Sequence, residues 1–346
     1  MKRFLPVFLV LLASCGGAAA PAPSPAAPKP SAAGAKPAAS ATEQLIPMKF
    51  SNVGVSGGVQ PLWIALDGGY FRKNGLDVAA DSLTTSSSAT VAALVSGQIQ
   101  VAWTDGTSAV NANAGGADLK VVSTIHPGYS YLIMAAPEIK RPEDLKGQKI
   151  AVSSLTGTDA VATKLALTKL GIDWQKDVAL VATGDNASRT AALLGGSVQA
   201  TLQEPPGTLV LEDKGFHPVA DLTPMNLPSV NASLIVSGSY LAQNRPAVQK
   251  FVDSIVEANA RLRKDKPYAV SLLKKYFKSD DDRVMGIVYD HYLPNTPVLP
   301  FPKAELFTAA VEELSRENPK LKQIDLKQVV DASFVQSAAD RKLDQT

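Results

Sequence analysis

A ten-residue stretch of this chain recurs later with a constant offset, and that echo limits the folds open to it. Ala92-Ala93-Leu94-Val95-Ser96-Gly97-Gln98-Ile99-Gln100-Val101 aligns with Ala191-Ala192-Leu193-Leu194-Gly195-Gly196-Ser197-Val198-Gln199-Ala200, five of the ten pairs being identical at an offset of 99. Each copy reads as the end of a helix, a glycine stop and a buried strand. Two weaker matches keep the same order. Val55-Ser56-Gly57-Gly58 pairs with Val152-Ser153-Ser154 and Thr156-Gly157, and Asn74-Gly75-Leu76-Asp77 pairs with Leu170-Gly171-Ile172-Asp173. Glycine after a helix is common enough to explain one match, but three in the same order point to two α/β lobes of similar plan.

The surrounding pattern agrees. Lys49 to Val55 reads as a strand, Pro61 to Phe71 as a helix stopped by Gly75, and Leu76-Asp77-Val78 as the next strand. Ser86-Ser87-Ser88 offers caps for a helix to Ser96, and Ile99 to Trp103 follows as a strand. Such alternation implies βαβ units and a largely parallel sheet. Ligands of open α/β sheets sit beyond the carboxyl ends of the strands, so the echo points to paired loops facing one cleft. These loops are Ser56 to Gln60, Thr84 to Ser88, Trp103 to Ser108, Ser153 to Asp159, Gly184 to Ser188 and Gln203-Glu204-Pro205.

Charge and cysteine content remove whole classes of function. Lys plus Arg number 34 against 32 Asp plus Glu, so there is no basic field for nucleic acid. One Cys forms no internal disulfide, and with three His it argues against a structural zinc site. That Cys lies at position 15, behind a basic pair, Lys2 and Arg3, and an apolar run from Phe4 to Leu12. This is a secretory signal pattern, too short to span a bilayer, which takes ~20 apolar residues. Leu12-Ala13-Ser14-Cys15 resembles the bacterial lipobox, which implies a signal peptide over 1–14, a lipid anchor on Cys15 and an extracytoplasmic, membrane-anchored lipoprotein. Residues 15–47, with Pro21, Pro23, Pro25, Pro28, Pro30 and Pro37, read as a Pro/Ala-rich tether unable to build a core. No later segment has the length and apolarity of a transmembrane helix.

Several cleft loops combine Ser, Thr and Gly with a helix start, where unpaired N–H groups and hydroxyls suit the anionic end of a ligand. The expected ligand-binding residues are Gly58, Gln60, Thr85, Ser87, Thr104, Thr107, Thr156, Thr158 and Asn186, although ordinary helix capping explains any one of them. Trp63, Trp103 and Tyr129, with Tyr131, offer flat walls; Trp63 serves a core equally well. His126 offers a hydrogen bond to ligand or a packing role. Asp105 and Glu204 follow the echoed strands and can accept from a ligand amine, cap a helix or close the lobes. Among catalytic motifs, there is no Gly-x-x-x-x-Gly-Lys-Ser/Thr phosphate loop and no His-Glu-x-x-His. No enzyme, metal or cofactor is expected, the alternative being a surface hydrolase or lyase using His126 with Asp105.

Pro61-Leu62-Trp63-Ile64-Ala65, Gly69-Tyr70-Phe71-Arg72-Lys73-Asn74-Gly75-Leu76-Asp77-Val78, and Arg141-Pro142-Glu143-Asp144-Leu145-Lys146-Gly147 resemble solute-binding proteins of ABC importers, in the nitrate/sulfonate/taurine-type and thiamine-precursor-type group. The likeness spans residues 48–338. It implies the α/β type II periplasmic-binding-protein fold, two Rossmann-like lobes joined by two hinge crossings. The crossings are expected near Ala135 and Ala232. Lobe I would comprise 48–135 plus 233–338 and lobe II 136–232, leaving 339–346 as a tail. The resemblance implies a monomer that captures a small organic solute and delivers it to an ABC permease. The solute is expected to be a sulfonate or carboxylate, with a heterocyclic amine as the alternative, favoured by Asp105 and Glu204. The Cys-rich motif of the thiamine-precursor enzymes is missing here, since the only Cys is the anchor.

Overall fold

The computed structural model describes residues 44–346 except Thr85, and not the side chains of 80–83. The expected signal peptide, Cys15 anchor, most of the tether and Thr85 lie outside the described residues.

Among the described residues, ten strands form two five-stranded sheets. They are β1 (Ile46–Val53), β2 (Leu76–Thr84), β3 (Val101–Thr104), β4 (Leu119–Gly128), β5 (Leu132–Ala135), β6 (Lys149–Val152), β7 (Ala179–Ala182), β8 (Ala200–Gln203), β9 (His217–Asp221) and β10 (Pro228–Ser237). The first sheet has the order β2-β1-β3-β10-β4 and the second β7-β6-β8-β5-β9. Position for position these are the same plan. Three parallel strands lie on one side, and the fourth strand is antiparallel to both of its neighbours.

Helices α1 (Gln60–Asp67), α2 (Tyr70–Lys73), α3 (Ser87–Val95) and α4 (Gly106–Ala114) follow the first strands. Helices α5 (Thr158–Lys169), α6 (Asn186–Leu194) and α7 (Gly207–Glu212) follow the second set. The C-terminal part is helical: α8 (Gly238–Lys264), α9 (Lys266–Phe277), α10 (Asp282–Tyr292), α11 (Thr308–Leu314), α12 (Leu326–Val329) and α13 (Ser333–Asp340).

The echo has a structural counterpart in every part. Helices α3 and α6, and strands β3 and β8, each start 99 residues apart. Ser86 accepts from the Ala89 amide to cap α3, as Asp185 accepts from Ser188 to cap α6. Gly97 and Gly196 end these helices with φ of +77° and +71°, a conformation that only glycine adopts without strain. The Gln100 side chain accepts from the Lys49 amide, and Gln199 from Lys149.

One apolar cluster packs the first sheet against α1, α8 and α10, with Phe50, Leu62, Trp63, Phe251 and Val288 at its centre. A second fills the other sheet around Ile133, Ile150, Leu167 and Leu193. The third face, around Val110, Phe307 and Leu314, also takes in Val161 of α5. Helix α11 thus packs against α5, where Lys164 Nζ meets Glu317 Oε2 at 2.7 Å and lies 4.3 Å from the Trp174 ring centre.

Three expected boundaries move. The body begins at Ile46, inside the expected tether. β5 already belongs to the second sheet, so the chain crosses at 129–131 rather than near Ala135. Pro127-Gly128, just ahead of the crossing, is the turn signal that marks that boundary in the sequence. The return falls at 222–227 rather than near Ala232, because Pro228 opens a ten-residue strand of the first sheet. The expected tail is ordered: α13 reaches Asp340, and Lys264 Nζ donates to the carbonyls of Gln345 and Thr346. The sheets are mixed rather than largely parallel, since each receives one strand from a crossing.

Candidate functional site

The carboxyl ends of β1 and β3, and of β6 and β8, meet at a cavity of about 370 Å3 lined by loops from both sheets. Four helices direct their N-termini at it. Ser86 and Ser87 open α3, Asp105 opens α4, Gly157 and Thr158 open α5, and Asp185 and Asn186 open α6. Each N-terminus contributes unpaired N–H groups and a partial positive charge.

The acids among the lining residues are used in different ways. Asp105 is spent on its own helix: Oδ1 accepts from the Ser108 amide at 2.8 Å and from the Thr107 hydroxyl, and Oδ2 accepts from Ser108 Oγ at 2.8 Å. Asp159 accepts from the Ser153 amide and hydroxyl, each at 2.5 Å, and pairs with Arg189 at 3.3 Å. Glu204 instead reaches across the cleft. Its Oε1 accepts from Ser56 Oγ of the first sheet's loop at 2.8 Å and from Asn186 Nδ2 at 3.1 Å. Tyr292 Oη lies 3.0 Å from the same Ser56 hydroxyl. Burial raises the Tyr131 and Tyr292 phenols well above their usual pKa, with the Glu204 charge adding to the effect, so both stay neutral.

Among the expected residues, Gly58, Ser87, Trp103 and Thr104 line the cavity from the first half, as do Asp105 and His126. Thr158, Asn186 and Glu204 line it from the second. His126 lines it without an N–H to spare. Its Nε2 lies 3.0 Å from the Gly58 carbonyl and its Nδ1 3.1 Å from the Asn295 carbonyl, and burial lowers its pKa, which leaves it neutral. It therefore brackets the Gly58 loop.

The remaining expected residues sit elsewhere. Trp63 stacks on Tyr276, ring centres 4.3 Å apart and nearly parallel, inside the first core. Tyr129 is buried in the second core, its phenol raised by burial. Thr107 serves Asp105, and Thr156 is half-buried in the turn before α5, off the cavity wall. Gln60 is buried behind the wall with neither amide atom hydrogen-bonded.

The expected loops already held Ser56, Ser153 and Asp159, though not as named ligand residues, and sequence reasoning missed Arg189, Asn231 and Tyr292 of the lining. Arg189 is the costliest omission, being the one Lys or Arg of that wall. It had a signal: it lies four residues before Leu193, on the buried face of α6, where an unpaired cation has no place. Tyr292 comes from a distant helix and had none. Among the described residues no group of three or more His, Cys, Asp or Glu is placed to hold a metal ion. No described helix is long and apolar enough to cross a membrane.

Two sheets of one plan, joined by two crossings around a shared cleft, define a bilobal α/β fold. The chain belongs to the NMT1/THI5-like family, whose sequence profile matches residues 58–265. It is 23% identical over 310 residues to YtlA of Bacillus subtilis (strain 168), a candidate binding protein, covering 87% of this chain and 92% of that one. Its fold is that of the periplasmic aliphatic sulphonate binding protein SsuA from Escherichia coli, with a TM-score of 0.66, 21% identity, and 84% of this chain and 99% of that chain covered. The periplasmic nitrate-binding protein NrtA from Synechocystis PCC 6803 shares it with a TM-score of 0.71, 14% identity, and coverage of 86% and 89%.

Proposed function

We propose that this protein captures a small organic solute between its two lobes outside the cytoplasm and delivers it to the permease of an ABC importer. The observation that carries this reading is the cavity itself, built from equivalent loops of the two halves. A site divided between two lobes is completed only when they close, so ligand binding and closure become one event. The sulphonate- and nitrate-binding relatives support the same role. The lipobox-like Leu12-Ala13-Ser14-Cys15 and the Pro/Ala-rich segment ahead of Ile46 support a monomeric lipoprotein anchored at Cys15 and tethered at the outer face of the membrane.

Two readings of the solute compete. An acid, sulfonate or carboxylate, has Arg189 Nε, a buried N–H with no protein partner, and the α5 N-terminus, which no side chain caps. A basic nitrogen has Glu204. The enzyme alternative loses its groups: both His126 nitrogens face carbonyls, the Asp105 oxygens serve its own loop, and no hydrogen bond joins the two residues.

Mass spectrometry of gently purified protein identifies a retained solute. Restoring it to stripped protein should reduce the radius of gyration in X-ray scattering; an unchanged radius at saturation refutes capture by closure. A permease gene and an ATPase gene should lie beside this one, and their absence would separate a sensor from a transport component.

A further inference from the structure

The charge of the cleft decides between the two solute readings. Four carboxylates line it, Asp105, Asp159, Asp185 and Glu204, against one guanidinium, Arg189. Arg189 is 4% exposed and already committed: Nη1 pairs with Asp159 at 3.3 Å and donates to the Gly184 carbonyl at 3.2 Å, and Nη2 donates to Asn186 Oδ1. His126 adds no charge. Among the described residues, Asp105, Asp185 and Glu204 have no Lys or Arg partner.

Asp105 and Asp185 are offset by the helix N-termini they cap. Glu204 is different. It is 7% exposed, caps no helix, and holds only neutral donors, a hydroxyl and an amide. A desolvated carboxylate without a counter-charge is costly, and a second anion placed beside it raises that cost.

We propose that the solute carries a positively charged nitrogen, an ammonium or amidinium on an apolar or aromatic frame, seated against Glu204. The assignment rests on the solute-capture reading above. Two further observations support it. Thr104 Oγ1 is buried in the cavity wall with no hydrogen-bond partner, a hydroxyl free to accept from a ligand N–H or to donate to a ligand oxygen. Trp103, Tyr131 and Tyr292 line the same cavity, and neutral aromatic faces attract cations. Arg189 Nε then donates to an acceptor atom on the solute. Asn186 touches both Glu204 and Arg189, so one small molecule reaches both groups.

The test uses the full chain and four probes of matched shape: benzamidinium, neutral benzamide, benzoate and benzenesulfonate. At millimolar concentration benzamidinium should raise the melting temperature, and the two anions should not. In calorimetry Glu204→Gln should weaken benzamidinium by about tenfold or more, with the Ser56 bond retained through the amide oxygen. Thr104→Val, a shape-conserving change, should weaken it by about threefold. The proposal is overturned if either anion stabilises more than benzamidinium, if benzamidinium does not stabilise, or if Glu204→Gln binds it as tightly as the parent. A retained solute that proves to be an acid would also overturn it and leave solute capture standing. Capture itself fails only if the retained solute produces no contraction.

Discussion

Asp105 and Glu204 occupy the same place in the two halves, 99 residues apart and just past the third strand of each sheet, yet they do opposite work. Asp105 is followed by Gly106-Thr107-Ser108, whose amide and hydroxyls fold back onto it, and it becomes the cap of α4. Glu204 is followed by Pro205 and Pro206, which have no N–H to offer. Its carboxylate is thereby left for the cleft and for Ser56 of the opposite lobe. A difference of two residues turns a structural acid into an available one. The helices before them diverge similarly. Thr90 in α3 bonds locally to the Ser86 carbonyl, whereas its counterpart Arg189 brings a charge into the wall.

The most damaging way to probe this divergence is Arg189→Leu. It strands the buried Asp159 charge, and we expect a loss of about 3–5 kcal/mol in denaturant unfolding. The matching change Thr90→Val removes a hydroxyl from the other half and should cost about 1 kcal/mol. Equal losses would mean that the two helices do not differ as described. Next comes Asp105→Ala, expected to lower stability by about 1–2 kcal/mol through loss of the α4 cap. Glu204→Gln removes a buried charge that has no counter-charge and should leave the melting temperature of the free protein unchanged or slightly higher. If Asp105→Ala is the neutral change, the two acids have been assigned the wrong way round.

The smallest effect concerns pH. Burial holds the His126 and His291 pKa values below 6.5, and both residues lie in the first half. The unfolded chain therefore binds more protons than the native one, and stability falls as pH drops below 6.5 toward the native values. Hydrogen exchange should report this acid weakening first around β4 and α10. Earlier loss of protection in β6–β8 would contradict it.

Much of this architecture was legible because it is local. The repeated helix, glycine and strand mark themselves by periodicity and by the backbone that Gly97 and Gly196 require. The loops after the strands followed from α/β geometry, which is why nine of the expected site residues, Glu204 among them, line the cavity. The rest depends on contacts between distant segments. Nothing near Tyr292 in sequence announces that α10 reaches Ser56. Trp63 could not be assigned, because an aromatic residue at helical spacing fits a core and a cleft equally well, and Tyr129, just past a strand, packs into the second core through contacts its neighbours in sequence do not show. The crossings were misplaced for the same reason: the strand assignment of β5 is decided by β8 and β9.

The two crossings have a mechanical consequence. The Leu222 amide donates to the Tyr131 carbonyl at 2.9 Å, and Asn231 Nδ2 donates to Tyr131 Oη at 3.2 Å. Asn295 is tied to Ser130 of the same segment. Two ribbons bonded side by side bend readily across their flat face but resist twisting and shear. In the proposed capture cycle, lobes carried on such a band would turn about one axis, and closure would return Glu204 to the same hydroxyl.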